Sequence, residues 1–426
     1  MKAIGLDVGT TGISGILLDA DNGKVLKSIT KNSNSFIKTQ NEFEKIQDVD
    51  KIISISMDIL GELLEDGVSA IGVTGQMHGI VYFDQNGKAV SPLYIWQDKR
   101  GDLEYKGTTY AKFLDSYSGY GCVTDFYNRE NGIVPKTAKG FCTIADYLVM
   151  QLCGLKSPLI HTTNLASFGC YDYNTKTLTY DYAPNSTDDF MVAGKYKNIP
   201  VSVAIGDNQA SVLSSCTEAD LLVNVGTGSQ VSIVSDKNIV APNVETRPYF
   251  ENKNLIVGCA LCGGRAYSLL KEFYKQIISY KTDITEEEVY AIMGKMLSSI
   301  DNPTIVCDTR FAGSRADQSI KGSFNGITTE NFNPSEFTSS VLIGMAKELY
   351  DMYALMKDKK ISLVGSGNGV RKNPYLIKVL EQIFSAKLKT PAHQEEASFG
   401  AVIFALIAIK KYDSVISAQK SLIKYS

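Results

Sequence analysis

Short apolar runs that end in glycine set the pattern of the chain from its first residues. Residues 3–7 read AIGLD, an apolar run closed by an acid. Gly9, Thr10, Thr11 and Gly12 follow, and a second apolar run covers 13–18. Asp21-Asn22-Gly23-Lys24 comes next, and Asn-Gly favours a tight hairpin because its central residues need positive φ. The pattern predicts strand, glycine-rich turn, strand, hairpin, strand. No helix follows the glycines, as a Rossmann opening would require, and the Walker pattern G-x-x-x-x-G-K-[ST] is absent. Ile53, Met57, Leu60 and Leu64 recur at helical spacing and predict a helix over 50–66. Residues 70–74 read as a buried strand running into Gly75-Gln76-Met77-His78-Gly79, and 81–83 with the Asn86-Gly87 turn predicts another hairpin. Further strands are expected over 201–205, ending at Gly206-Asp207, and over 221–225, ending at Gly226-Thr227-Gly228. A long helix over 335–356 precedes a strand over 361–364 that runs into a glycine loop, Gly365 to Gly369.

One of these patterns occurs twice. Residues 7–19 read DVGTTGISGILLD and residues 224–236 read NVGTGSQVSIVSD, an offset of 217 residues (224 − 7). Solenoid repeats run ~20–50 residues. A period this long points instead to two similar domains, each opening with the same glycine hairpin; chance likeness of two turns is the alternative. No low-complexity segment or flexible linker separates them, so tight hinges are expected.

Size and composition agree. A chain of 426 residues, 44% hydrophobic, can fill two or three domain cores at ~150 residues each. The 43 basic and 46 acidic residues are well mixed, with net charge −3 and no basic stripe for nucleic acid or an anionic membrane. MKAIGLDVGTTG lacks the apolar region of a signal peptide. The apolar stretch 401–409 is far short of the ~20 residues that span a bilayer. A cytoplasmic protein is expected. Its eight cysteines include a single C-x-x-C (Cys259, Cys262), and with three histidines they argue against zinc and for reduced, mostly buried thiols.

The glycine hairpins suit a polyphosphate, which needs backbone N–H groups at close approach and hydroxyl donors. Gly9, Thr10 and Thr11 provide these in the first domain and Gly226, Thr227 and Gly228 in the second, so that the two would grip a phosphate chain from both sides. Asp7 is placed to orient Mg²⁺ through water, since magnesium takes few carboxylates, phosphate oxygens and several waters. Gly365, Ser366, Gly367 and Asn368 would leave room for adenine or ribose. Any one glycine turn is usually only a turn; three at strand ends, two of them related by repetition, carry more. Phosphoryl transfer then asks for positioning and a group to take the acceptor's proton. Asp207 follows a strand and a glycine, at the edge where open α/β sheets bind ligands. The same position suits the N-cap of a helix starting at Asn208-Gln209-Ala210-Ser211, and the two roles can coexist.

Over nearly its whole length the chain resembles the FGGY carbohydrate kinases, and among them the sedoheptulokinases and xylulokinases. Asp7-Val8-Gly9-Thr10-Thr11 matches the family's first phosphate loop and Gly75-Gln76-Met77-His78-Gly79 its sugar loop. Gly206-Asp207-Asn208-Gln209-Ala210 matches the segment of the catalytic aspartate, and Asn224-Val225-Gly226-Thr227-Gly228-Ser229 the second phosphate loop. Gly365-Ser366-Gly367 with Asn373-Pro374 matches the adenosine loop, and Ala397-Ser398-Phe399-Gly400-Ala401 the late helix. Residues 135–154 and 164–167 resemble the first signature region.

The resemblance implies a two-domain α/β, ribonuclease H-like (actin-like ATPase) fold with an interdomain cleft. The domains are expected at 1–198 and 199–403, with 404–426 folding back onto the first. It implies an ATP:sugar kinase, a phosphotransferase with an alcohol acceptor, using Mg²⁺·ATP, with Asp207 as the base at the sugar's terminal CH₂OH. Gln76, Met77, His78, Trp96 and Asp98 fall where the family contacts the sugar. Met77 and Trp96 would pack on its carbon face, and His78 and Asp98 would bind hydroxyls. From the residues alone, Met77 and Trp96 read equally as core, and His161 and His393 as structural or surface. Trp96-Gln97-Asp98 and Ser118-Gly119-Tyr120-Gly121-Cys122 resemble sedoheptulokinase, whereas xylulokinases usually carry W-N-D. Sedoheptulose is therefore the first expected substrate, D-xylulose the second, another ketose or polyol the third. The expected partners are a small sugar and ATP, with a homodimer allowed. A sugar or nucleotide sensor without turnover and a bare ATPase are the competing classes, and a sensor has no need of a base at Asp207.

Overall fold

The computed structural model describes residues 1–298, 302–314, 317, 319–360 and 362–426. The chain forms two compact units. One holds residues 1–214, 248–252 and 393–424, the other residues 215–247, 253–392 and 425–426.

In the first unit β1 (Lys2–Val8), β2 (Gly12–Asp19) and β3 (Lys24–Asn32) make an antiparallel meander. The bend before β3 holds Gly23 at φ 73°, in the left-handed region open to glycine. Helix α1 (Val49–Leu63) leads to β4 (Val68–Gly75), which lies parallel to β1. The helix starts at Val49, one residue before the expected 50, because Asp48 caps it by accepting from Lys51 N. It stops at Leu63, where Leu64 turns extended. The hairpin expected around Asn86-Gly87 forms: Gly87 N donates to Asp84 O at the turn, Asp84 N to Lys88 O and Val90 N to Tyr82 O, and Phe83 bridges Ala89. The Val81–Asp84 strand also pairs with Ala138–Cys142.

Helices α2 (Ile144–Cys153) and α3 (Thr162–Ser167) follow, then β5 (Val192–Tyr196), β6 (Ile199–Ser202) and β7 (Ile205–Gly206), and α4 (Asp207–Ser215). The sheet order is β5-β6-β4-β1-β2-β3, with β7 also on β4. The single strand expected over 201–205 is thus two pieces, because Val203 N turns away to donate to Met191 O. Both pieces pair with β4 in this sheet, so the first unit runs to Ser214, past the 198/199 division read from sequence.

The second unit repeats this plan. Strands β8 (Asp220–Val225) and β9 (Ser229–Ser235) pair antiparallel. After the edge strand β10 (Val244–Pro248), β11 (Asn254–Ala260) pairs antiparallel with β9. Helices α5 (Gly264–Ser279) and α6 (Pro334–Leu355) lead to β12 (Ser362–Ser366), parallel to β8. Helix α7 (Gly367–Lys372) and β13 (Leu388–Lys389) complete a sheet ordered β10-β11-β9-β8-β12-β13. In each sheet the first strand pairs antiparallel with the second and parallel with the strand that arrives after a helix, so the repeated sequence is a repeated topology. Asn333 caps α6, accepting from Ser335 N and Glu336 N. Of the strand expected over 361–364, Ile361 lies outside the described residues. Gly365 and Ser366 belong to β12 and Gly367 opens α7, so the expected glycine loop is a strand end and a helix start.

The chain then returns to the first unit as α8 (Glu396–Ala408) and α9 (Val415–Leu422). The return begins at 393, ahead of the expected 404, because all of α8 lies on this unit's sheet. The approach is close. A Cβ on Gly5 would stand 1.9 Å from Ser398 O, one on Gly72 1.9 Å from Ala401 O, and one on Gly400 1.9 Å from Ala210 O. None of the eight cysteines forms a disulfide. Among the described residues no helix is long and apolar enough to cross a membrane.

Candidate active site

Three parallel strands end together in the first unit. Val8 of β1 and Gly206 of β7 both pair with Gly75 of β4. The segments that leave them are Gly9-Thr10-Thr11, Gln76-Met77-His78 and Asp207. The register therefore brings the expected phosphate loop, sugar loop and base to one sheet edge.

Asp7, one residue before the end of β1, has a buried Oδ1 with no hydrogen-bond partner among the described residues. Burial, then the charges of Asp207 and Glu395, push its carboxyl up to about 8. Asp207 is the first residue of α4, inside the helix rather than ahead of it as a cap. In the repeat Asn224 takes the place of Asp7. Its Nδ2 donates to Ser366 Oγ at 2.7 Å, so the second hairpin has an internal bond where the first has an open acid.

Thr10 and Gln76 hold each other. Thr10 Oγ1 donates to Gln76 Oε1 (3.2 Å) and accepts from Trp96 Nε1 (3.0 Å). Gln47 Nε2 donates to Thr10 O (2.6 Å), and Gln76 Nε2 donates to Gln47 Oε1 (2.9 Å). Gln47 is fully buried and carried no signal in the sequence, because its partners lie far along the chain. Trp96 leaves 47% of its surface exposed. Met77 is buried against Gly206. His78 takes φ 72°. Its N donates to Ser167 Oγ (3.1 Å), its Nδ1 lies 2.8 Å from Ser167 O, and its ring stacks on Tyr120 at 4.1 Å. A carbonyl only accepts, so Nδ1 carries a proton in this contact.

Asp98 departs from the expectation that it binds a sugar hydroxyl. It is 1% exposed, and both oxygens are occupied. Oδ1 accepts from Arg100 Nε (2.7 Å) and Arg100 N (3.0 Å), and Oδ2 from Arg100 Nη2 (3.0 Å) and Lys45 N (2.9 Å). Arg100 is itself fully buried, donates to Asn128 Oδ1 and lies 4.3 Å from the Tyr94 ring centroid. The pair braces the loop that carries Trp96.

In the second unit a cavity of about 820 Å³ opens at the ends of β8 and β12. Gly226, Thr227, Gly367 and Asn368 line it as expected, while Gly228, Gly365 and Ser366 do not. Gly367 sits at φ 82°, where a Cβ would meet Val225 O at 2.6 Å. Tyr267, Tyr290 and Tyr375 also line the cavity, with Lys372. These aromatics were missed, since each reads as an ordinary helix residue. Tyr267 and Tyr290 stack at 5.9 Å. The cavity thus joins a glycine-rich turn with flat aromatic walls.

The sequence comparisons bear on these two sites together. Residues 2–184 match the N-terminal domain of the FGGY family of carbohydrate kinases and residues 221–409 match its C-terminal domain. The chain belongs to the FGGY family of carbohydrate kinases. It is a sugar kinase, a phosphotransferase of a family that uses ATP. A protein of Mus musculus named sedoheptulokinase is 25% identical, covering 95% of this chain and 97% of its own length. A Staphylococcus epidermidis protein named xylulose kinase is 22% identical, covering 99% and 90%. The solved structure of xylulose kinase from Rhodospirillum rubrum covers 100% of this FGGY kinase and 93% of its own chain at TM-score 0.84 and 16% identity. The fold is the two-domain actin-like ATPase fold, α/β throughout.

Proposed function

We propose that this FGGY kinase moves the γ-phosphoryl group of ATP to the terminal primary hydroxyl of a ketose in the cytoplasm, with sedoheptulose the preferred acceptor and D-xylulose the second. The observation that carries the reading is the shared ending of β1, β4 and β7, with Asp7, His78 and Asp207 gathered there. Asp207 is the base. A loose transition state develops little charge on the attacking oxygen, so the proton passes to this carboxylate late. His78 Nε2 accepts from a sugar hydroxyl, and the open face of Trp96 lies along the carbon chain. Thr10 binds phosphate while Gln76 fixes its rotamer. In the second unit Gly226, Thr227, Gly367 and Asn368 hold the nucleotide, with the base among the tyrosines.

The acids suit a divalent cation. Among the described residues Asp7 Oδ1 is buried without a partner, and it is crowded by two further carboxylates. Among the described residues no three His, Cys, Asp or Glu side chains form a complete cage. That fits Mg²⁺ arriving on ATP, held by one protein oxygen, phosphate and water. When bound, the ion neutralises phosphate charge in transfer. Sedoheptulose is favoured by Trp96-Gln97-Asp98 and by the likeness to the mouse protein; D-xylulose is favoured by the likeness to xylulose kinases.

ADP release with sedoheptulose and D-xylulose, side by side with Mg·ATP, tests the proposal. A higher kcat/KM for sedoheptulose is expected. A higher value for D-xylulose moves the assignment to that sugar. Absence of ketose-dependent ADP from folded protein overturns the reading.

A further inference from the structure

The three residues ahead of Asp207 each have a backbone group held by a side chain. Ala204 O accepts from Asn164 Nδ2 (3.4 Å), Ile205 O accepts from Thr74 Oγ1 (2.8 Å), and Gly206 N donates to Thr163 Oγ1 (3.1 Å). These bonds are needed because β7 is only two residues long, with two register pairs to β4. A strand that short does not fix the direction of the residue after it.

The holders are held in turn. Asn164 Nδ2 also donates to Asp146 Oδ1 (3.1 Å), and Asp146 Oδ2 accepts from Thr143 Oγ1 (2.7 Å). Thr163 N donates to His161 Nδ1 (3.2 Å), so that nitrogen is an acceptor. The Thr163 hydroxyl, 3.0 Å away, then gives it its proton and keeps its lone pairs for Gly206 N. Thr163, Asn164 and His161 are all buried. About one turn further, at the other end of α3, Ser167 grips His78 through its hydroxyl and its carbonyl.

We propose that α3 registers the base against the acceptor loop, with Thr163 and Asn164 as positioning residues that act on Asp207 through the 204–206 backbone. One short helix then fixes both Asp207 and His78, and the distance between them follows from its length. This rests on Asp207 serving as the base. Misplacement of a reacting group by about 1 Å costs on the order of 10²-fold in rate.

Thr163→Val keeps the shape and removes the bond to Gly206 N, and Thr163→Ser keeps the bond. Trp96 is the only tryptophan, so its fluorescence reads ketose binding directly. The expected result for T163V is a kcat at least ~10-fold below wild type, with ketose affinity and the KM for ATP unchanged, and recovery of turnover in T163S. Wild-type kcat in T163V, or kcat and ketose affinity falling together, overturns the proposal. If T163V does not accumulate folded, N164S is read by the same criteria. Hydrogen exchange separates this from a failure of the kinase reading. Even with no ketose turned over by wild type, T163V should speed exchange in the peptide holding Gly206 and leave that holding His78 unchanged. Unchanged exchange at Gly206 overturns the arrangement.

Discussion

A carboxylate can brace protein or handle substrate: Asp98 braces Arg100, and the proposed function gives Asp207 the other task. Asp207→Asn should lower kcat by about 10²–10⁴, the usual share of a general base, while nucleotide binding persists; steady-state kinetics with a nucleotide titration checks it. Asp98→Asn strips a buried Arg100 of its hydrogen-bonded counter-charge and leaves it Glu44 at 4.0 Å, and breaking such a pair costs about 3–5 kcal/mol. Urea unfolding should show that loss. His161 adds a pH signature. Burial holds its imidazole down at about 4 against an ordinary 6.5, although Asp188 pulls the other way. The unfolded chain therefore binds the proton first. Stability is full above pH 6.5 and falls as pH drops toward 4, by about 3 kcal/mol over that window. His161→Asn keeps a capping side chain and should flatten that part of the stability–pH curve. The strand ends that carry Asp207 and His78 were legible because each closes on a glycine. The role of Asp98 was not, since Tyr94 and Asn128 reach Arg100 only through the fold.

At the scale of elements, glycine decides how closely α8 lies on the sheet. Gly72→Ala would push a methyl group into the backbone of Ala401, where neither side can move cheaply. Overpacking of this kind costs about 1–3 kcal/mol and sometimes more, and thermal unfolding should register the drop. Strands written as continuous apolar runs, such as β1, β2 and β8, were readable from pattern alone. The break at Val203 and the partner of the Val81–Asp84 strand were not. Met191 and residues 138–142 supply those bonds from elsewhere in the chain, and no local signal encodes them. The tyrosine walls of the second unit's cavity escaped for the same reason.

At the scale of the molecule, the repeated V-G-T hairpin announced two related units, and the two sheets share one connectivity. The limits of the units were less readable. They depend on which sheet a strand joins and where α8 rests, and neither follows from periodicity. A chain ending at residue 392 should lose cooperative unfolding of the first unit while the second keeps its own transition; calorimetry of the two lengths checks this.

That prediction has a counterpart during synthesis. The meander leaves the ribosome long before the helix that covers Gly5 and Gly72, because nearly all of the second unit is made in between. Until that helix emerges this β-surface stays bare, a target for holding chaperones, and a message cut short before codon 396 yields a product that proteases meet half-dressed.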